Sequence, residues 1–189
     1  MTASRGAEGL RAAQGADEHH HCQRMSDLRS APVPPLRDDD HVREGRDGGA
    51  LVVFYGDFAC PRCAVEARRL REQGTGVVFR HFALKAKHQR AVALAQAAEA
   101  AARQGAFWAF HDALYADQGR IDDPHLWARC EALGLDVERF QADRRDPAIA
   151  ERVRRDVRDA LRAGATTTPT LFAWPAGPRT PRGSQRSGR

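Results

Sequence analysis

The sequence has few aromatic residues, almost no lysine and no apolar run long enough to cross a bilayer. Aromatic side chains make up 7% of the 189 residues, and 28 of the 30 basic residues are arginine. The longest apolar runs, at 50–56 and 91–98, fall short of the roughly 20 residues that a membrane-spanning helix needs. We therefore expect no membrane span in this chain, and we interpret the arginine bias as the coding preference of a GC-rich genome.

A secretory signal is also missing from the N-terminus. The first eight residues include an acidic side chain, and no apolar stretch of the kind found in signal peptides follows them. The chain is therefore predicted to be cytoplasmic. Apolar residues account for 42% and charged residues for 29% of the sequence, which is typical of a folded globular protein. This composition argues against a chain that is disordered over its whole length.

Composition divides the chain into three parts. Residues 1–44 mix glycine, alanine, serine and charged residues without a hydrophobic period, so we predict a disordered leader. A single folded domain is expected over 45–173. Residues 174–189 contain four arginines, three prolines, three glycines and no acid, which predicts a disordered basic tail. We interpret the tail as a charged segment exposed to solvent, and we do not expect it to bind nucleic acid.

The folded part has the pattern of an α/β protein. Short apolar runs rich in branched and aromatic residues predict three strands, with the first of them central in the sheet. Between the second and third strands, about 88–164 has the pattern of an all-helical insertion. The predicted strands are 50–55, 77–82 and 170–173, and the predicted helices are 64–72, 90–104, 106–118, 123–133, 136–144 and 147–163.

The sharpest chemical signal is the sequence Cys60-Pro61-Arg62-Cys63. This pair follows a predicted strand and opens a predicted helix, which is typical of redox-active cysteines. The unpaired N–H groups and the positive dipole end of a helix N-terminus favour a thiolate, so we expect Cys60 to have a low pKa. Arg62 is expected to add a positive charge. Cys60 is then the predicted nucleophile, and the more buried Cys63 the resolving thiol.

Cysteines and histidines can also bind metals. Half of a zinc site would need two more ligands at a suitable spacing, but Cys22 and Cys130 stand alone in the sequence. We interpret Cys130 as a small core residue. The three histidines at 19–21 could bind metals weakly and without specificity. We predict no metal site.

A second motif is Thr168-Pro169 at the start of the last predicted strand. A proline there lacks a donor for the strand ladder and must lie where none is needed. Two interpretations are possible. The bond is either an ordinary trans proline bond at the end of a loop, or a cis bond that directs the Thr168 backbone toward the cysteine pair. From these residues alone the trans bond is favoured.

Taken together, these segments resemble the DsbA-like branch of the thioredoxin superfamily, over about 34–172 of the chain. The matching segments, in family order, are 53–63, 79–84, 97–101, 104–108, 111–112 and 168–172. The resemblance implies a thioredoxin-like fold with a helical insertion and a thiol-disulfide oxidoreductase. It also implies that Thr168-Pro169 is a cis-proline loop that holds an extended substrate, and it implies no metal or organic cofactor.

The sequence departs from the family pattern at three places. Phe54 stands where the family commonly has an acidic residue, so proton transfer to Cys63 is expected to run through water or to be slow. Ala83 replaces a usual proline. The family continues with another strand and a helix after the cis-proline strand, which the composition of 174–189 does not predict. We therefore expect a C-terminally incomplete, truncated or frame-altered domain.

The predicted function is disulfide exchange with protein substrates by the Cys60–Cys63 pair, which also needs a redox partner. A cytoplasmic protein is expected to act as a reductase or isomerase, and an exported one as an oxidant. The alternative is a non-catalytic peptide-binding module, or a remnant of such an enzyme, in which Thr168 and Pro169 still contact peptides.

Overall fold

The computed structural model describes residues 35–46 and 51–174. Over these two ranges the chain forms one sheet and six helices, which confirms the predicted α/β class. The elements are β1 (His41–Arg43), β2 (Leu51–Gly56), α1 (Pro61–Gln73), β3 (Gly76–His81), α2 (Ala91–Ala102), α3 (Phe107–Ala116), α4 (Asp123–Ala132), α5 (Val137–Asp143), α6 (Pro147–Arg162) and β4 (Thr170–Trp174).

The sheet is built around the parallel pair β2 and β3. Its strand order is β1-β3-β2-β4, and both outer strands run antiparallel to their neighbours. Phe54 of β2 lies opposite Phe79 of β3. Parallel neighbours need a crossover connection, and α1 provides it. The Cys60–Cys63 segment therefore lies where the central strand passes into the crossover helix.

Both faces of β2 are buried, which explains its continuous apolar sequence. Phe54 packs on one face, in the core that β3 shares with the helices α1 to α6. Val53 and Tyr55 point the other way and pack with Ala160 of α6 in a second core. A strand buried on both faces has no polar alternation. For this reason the run at 50–55 was recognisable as a core strand.

Five helices, α2 to α6, occupy the segment predicted as a helical insertion. Three of them begin after an aspartate whose carboxylate accepts a backbone N–H bond in the first turn, namely Asp122, Asp136 and Asp146. Aspartate at this position satisfies donors that the helix itself cannot pair. None of the helices within 35–46 and 51–174 has the length and apolar character that crossing a membrane requires. The cytoplasmic location stays a prediction.

The prediction of three strands is wrong, because the described residues form four. The additional strand, β1, lies in the segment predicted to be a disordered leader, where His41 pairs with Phe79. Arg80 holds this segment through bonds of 2.9 and 2.7 Å to the Asp40 carboxylate. Three residues are too few to show a period, so no local pattern marks β1. Residues 1–34 of the predicted leader and 175–189 of the predicted tail lie outside the described residues.

Candidate active site

Cys60 and Cys63 lie at the junction of β2 and α1, as predicted. Cys60 caps the helix with extended backbone angles, and Pro61 occupies the first helical position, where it needs no N–H partner. The Cys60 carbonyl accepts a 3.0 Å bond from the Cys63 N–H. The two thiols are 4% and 0% exposed, whereas Pro61 and Arg62 are exposed. One turn of helix therefore places both buried cysteines at the N-terminus of α1, where Pro61 and Arg62 are exposed.

Thr168 lies next to this pair, although it is distant in the chain. The Cys60 thiol is 3.6 Å from the Thr168 carbonyl oxygen. The peptide bond between Thr168 and Pro169 is cis, the isomer that the resemblance implies. Thr168 is 3% exposed, and β4 begins two residues later. The two motifs that the sequence analysis singled out thus meet at one place.

The environment of Cys60 favours its ionised form. Burial raises the pKa of the Cys60 thiol, but hydrogen bonds from the Thr168 side chain, from Cys63 and from the Arg62 backbone outweigh it and lower the pKa below its ordinary value. The expected thiolate is therefore supported. The contribution of the exposed Arg62 among these comes from its backbone N–H, and the predicted role of its charge stays a prediction.

Cys63 has the opposite environment. Burial raises the pKa of its thiol far above the ordinary value, and hydrogen bonding from the Asp57 backbone opposes this only in part. The negative charge of Cys60 raises the pKa of Cys63 further. The site thus contains one thiol that ionises readily and a second that holds its proton. Chemically, this arrangement suits a nucleophile paired with a resolving thiol.

Three polar residues near the thiols escaped the sequence analysis. The Asp57 carboxylate is buried, accepts a 2.8 Å bond from the Ala59 N–H and lies 2.7 Å from Nδ1 of His88. The Tyr115 hydroxyl is buried without a hydrogen-bond partner among the described residues. Only Asp57, next to the cysteine motif, carries a local signal. His88 and Tyr115 come from distant segments.

Gln118 fixes the loop that carries Cys60. Its side-chain amide donates to the carbonyl oxygens of Phe58 at 2.7 Å and of Cys60 at 3.0 Å. These carbonyls belong to the loop between β2 and α1, whose turn leaves them without ladder partners. Gln118 follows α3, so the helical segment directly supports the geometry of the loop. Nothing in the local sequence around Gln118 marks it for this role.

The remaining cysteine and histidine candidates are separate from this site. Cys130 is fully buried in α4, and burial raises the pKa of its thiol to about 11. This agrees with its interpretation as a core residue. Cys22 and the histidines at 19–21 lie outside the described residues.

One cluster has the side chains to hold a metal, namely His41, His81 and Glu99. Their candidate ligand atoms lie within 4.8 Å of one another. However, the same Glu99 oxygen lies 2.8 Å from Nε2 of His41, 2.7 Å from Nε2 of His81 and 2.8 Å from Nε of Arg152. A guanidinium at that oxygen repels a second cation. The contacts therefore fit a buried ion cluster that joins β1, β3, α2 and α6 better than they fit a metal site.

Comparisons with known proteins agree with this geometry. A family model described as DSBA-like thioredoxin domain matches residues 51–186. The Na(+)/H(+) antiporter NhaA 1 of Salinispora arenicola (strain CNS-205) is 42% identical over 146 residues, which are 75% of this chain and 22% of the antiporter. The chain spans about a quarter of the length of the curated relatives it matches.

Two solved structures resemble the chain over most of its length. A thioredoxin-like oxidoreductase from Silicibacter pomeroyi DSS-3 is 26% identical, with a TM-score of 0.63, over 74% of this chain and 83% of its own. DsbA2 of Pseudomonas aeruginosa is 25% identical, with a TM-score of 0.55, over 73% of this chain and 81% of its own. The fold is therefore shared with oxidoreductases of known structure.

Proposed function

Because this chain belongs to the family of DSBA-like thioredoxin domains, we propose that it exchanges disulfide bonds with protein substrates through Cys60 and Cys63. The observation that carries this proposal is the contrast between the two thiols. The pKa of Cys60 is lowered and that of Cys63 is raised, although one helical turn separates them. Two inert core cysteines would both have raised pKa values, as Cys130 has.

The exchange begins at Cys60. Its thiolate attacks one sulfur of a substrate disulfide, forms a mixed disulfide and releases the other substrate sulfur as a thiolate, which takes a proton from water. Cys63 then loses its proton and attacks the Cys60 sulfur. The mixed disulfide breaks, and the substrate leaves with both of its sulfurs reduced. The reverse sequence transfers the Cys60–Cys63 disulfide to a dithiol substrate.

Thr168 is proposed to hold the substrate next to Cys60. Its carbonyl oxygen, 3.6 Å from the Cys60 sulfur, is in a position to accept an N–H from an extended peptide. Pro61 and Arg62 form the exposed rim beside it. In a reducing cytoplasm the pair would act as a reductase or isomerase, and in an oxidising compartment as an oxidant.

Insulin reduction by the full chain with dithiothreitol tests this function. We expect Cys60→Ser to abolish the activity, and Cys63→Ser to accumulate mixed disulfides that reductant releases. Cys130→Ser is the matched control, and its rate should equal that of the wild type. A wild-type rate no higher than that of Cys60→Ser would contradict the proposal and favour the peptide-binding alternative.

A second proposal concerns the partner. The identity of 42% to a segment of the Salinispora antiporter suggests that this domain acts together with a Na(+)/H(+) antiporter. The Cys63→Ser variant, expressed in the source cells, should trap such a transporter as a mixed disulfide. The double variant Cys60→Ser/Cys63→Ser is the control. Recovery of no antiporter with the single variant, or of equal amounts with both, would contradict this partner.

A further inference from the structure

Three segments meet around Cys60, and none of them exposes an acidic side chain. They are the loop and first helical turn at 57–65, the connection from β3 to α2 at 82–90 and the loop before β4 at 164–170. The Thr168 carbonyl oxygen of the last segment lies 3.6 Å from the Cys60 sulfur. His88 of the second segment lies 2.7 Å from the buried Asp57 carboxylate of the first. Asp57 is the only acidic residue of these segments.

The same segments expose three cationic side chains, Arg62, Lys85 and Lys87, which we call the basic rim. Arg62 lies between the two cysteines of the redox pair. The two lysines of the rim are the only lysines in the chain. The Lys87 ammonium donates to the Thr166 carbonyl oxygen at 3.3 Å, so it lies against the loop that carries Thr168. No member of the rim forms an ion pair with a carboxylate of the described residues.

Acidic residues next to these segments do not neutralise the basic rim, because each is paired with an arginine outside it. The pairs are Glu66 with Arg69 at 2.5 Å, Asp117 with Arg129 at 3.9 Å and Asp123 with Arg90 at 2.6 Å. The first turn of α1 contains no acid, and the positive end of its dipole faces the same loop. The surface beside the reactive thiol therefore keeps its positive charge.

We propose that the active site prefers substrates in which acidic residues flank the reacting cysteine, because the basic rim attracts such segments to Cys60. This inference rests on the proposed function and names its substrate class. A peptide that donates an N–H to the Thr168 carbonyl lies on the loop that Lys87 contacts. Carboxylates close to its cysteine can then approach Lys87 or Arg62. Charges at the rim of an interface mainly change the rate of association, so the preference is for faster attack.

Three peptides of equal length measure this preference. Each has one cysteine, flanked by two glutamates, two glutamines or two lysines, and held in a disulfide with a pyridinethiol. The Cys60 thiolate attacks the peptide sulfur, forms the mixed disulfide and releases the pyridinethiol, whose absorbance gives the rate. The rate with Cys60→Ser is subtracted to account for the other thiols. Each rate is then divided by that of the same peptide with mercaptoethanol, which removes differences in intrinsic reactivity.

The full-length reduced chain should react at least about tenfold faster with the glutamate peptide than with the lysine peptide at low ionic strength. Electrostatic attraction raises association rates about 10- to 10³-fold, and the glutamine peptide should lie between the two. The ratio of the glutamate to the lysine rate should approach one in about 1 M salt, where the Debye length is about 3 Å.

The double variant Lys85→Gln/Lys87→Gln removes two rim charges and leaves the cysteine motif intact. In water, a pair of unit charges about 8 Å apart changes a rate about twofold, so the ratio should fall at least about threefold. Arg62→Gln should lower the ratio too. Its effect on the thiol itself acts on all three peptides and cancels in the ratio.

Arg139→Gln/Arg145→Gln is the matched control, because it removes two exposed cations at a distance from the site. Arg139 bonds to the Arg103 carbonyl at the C-terminal end of α2, whereas both lysines precede its N-terminal end. The 12 residues of α2 span about 18 Å. The control should keep the wild-type ratio, although it lowers the net charge of +5 by as much as the rim variant does.

Failure of this inference and failure of the proposed function are distinguishable. If wild type releases pyridinethiol no faster than Cys60→Ser from any peptide, the proposed function is wrong. If release occurs with a ratio near one at low ionic strength, disulfide exchange stands and the preference is overturned. It is equally overturned if the lysine variant keeps the wild-type ratio, or if the control lowers the ratio as much as the lysine variant does.

Discussion

The Cys60 thiol lies 3.6 Å from the Thr168 carbonyl oxygen, although 108 positions separate the two residues in the chain. Cys60 begins the helix after the central strand, and Thr168 lies two residues before the edge strand β4, which pairs with that same central strand. The pairing of β2 with β4 therefore brings the thiol and the cis-proline loop to the same end of the sheet. A hydrogen bond from the Thr168 side chain, separate from this carbonyl contact, is the largest effect that lowers the pKa of Cys60.

Removal of the Thr168 hydroxyl should make Cys60 a weaker acid. A hydrogen bond to a charged group stabilises the charged form, so Thr168→Val should raise the pKa of Cys60. The pH dependence of alkylation by iodoacetamide measures this pKa. Thr166→Val, at an exposed position, is the control and should leave it unchanged. Identical alkylation profiles of Thr168→Val and wild type would contradict the assignment.

The reduced protein should gain stability from Cys60 as pH rises toward 9. The pKa of Cys60 is lower in the folded chain than its ordinary value of 9.0, so the folded state binds fewer protons here than the unfolded state does. This contribution is complete above about pH 9 and is lost as pH falls through the folded pKa. Cys63 stays mostly protonated in both states below that pH, because its pKa is raised in the fold and has the ordinary value of 9.0 in the unfolded chain.

Urea unfolding of reduced wild type and Cys60→Ser between pH 5 and 9 measures this contribution. The difference between their free energies of unfolding should shift in favour of wild type as pH rises. Cys130→Ser should show no such trend below pH 9, since the pKa of Cys130 is raised to about 11. A difference independent of pH would mean that Cys60 does not ionise preferentially in the fold.

The buried His111 should make the folded domain less stable as the pH falls below 6.5. Burial lowers the pKa of His111 to about 4, against the hydrogen bond that the Asp112 carboxylate accepts from its ring, while the histidine of the unfolded chain protonates near 6.5. The unfolded state therefore binds more protons as pH falls from 6.5 to 4, and this difference removes about 3 kcal/mol of stability across that window. His111→Phe keeps an aromatic ring against Phe58 and Phe79 and should lose less stability in acid.

Thermal and urea unfolding of wild type and His111→Phe at pH 4.5 and 7 measure how much stability each protein loses in acid. His125→Gln removes an exposed histidine and serves as the control. It should lose as much stability between pH 7 and 4.5 as the wild type does. Equal acid sensitivity of His111→Phe and wild type would show that other groups dominate in this range.

Loss of the Asp40 charge should destabilise the domain strongly. The side chains of Arg80 and Asp40 are 1% and 0% exposed, and their pair holds the segment before β1 against the sheet. Asp40→Asn leaves a buried guanidinium without its counter-charge, which typically costs about 3–5 kcal/mol. Urea unfolding measures it, with the exposed Asp38→Asn as the matched control. A loss below about 1 kcal/mol would mean that the pair contributes little.

Patterns of neighbouring residues in the sequence were enough to predict most helices and strands and the reactive pair Cys60 and Cys63. The apolar run at 50–55 and the helix formers after it predicted β2, α1 and most helix boundaries, because strand and helix patterns depend on nearest neighbours in the chain. The spacing of Cys60 and Cys63 likewise predicted two thiols at one helix N-terminus. Both thiols are within three positions, so their geometry follows from the helix alone.

Tertiary structure decided what surrounds that pair. The approach of Thr168 to Cys60, and of His88 to Asp57, depends on how the helical segment and β4 return to the sheet, and no local period encodes such a path. The strand β1 likewise depends on Asp40 meeting Arg80, 40 positions away. The resemblance to a family supplied Thr168 in advance. Asp57 and His88 could be paired only from the folded chain, because an ion pair forms where the backbone brings two charges together, whatever their separation in sequence.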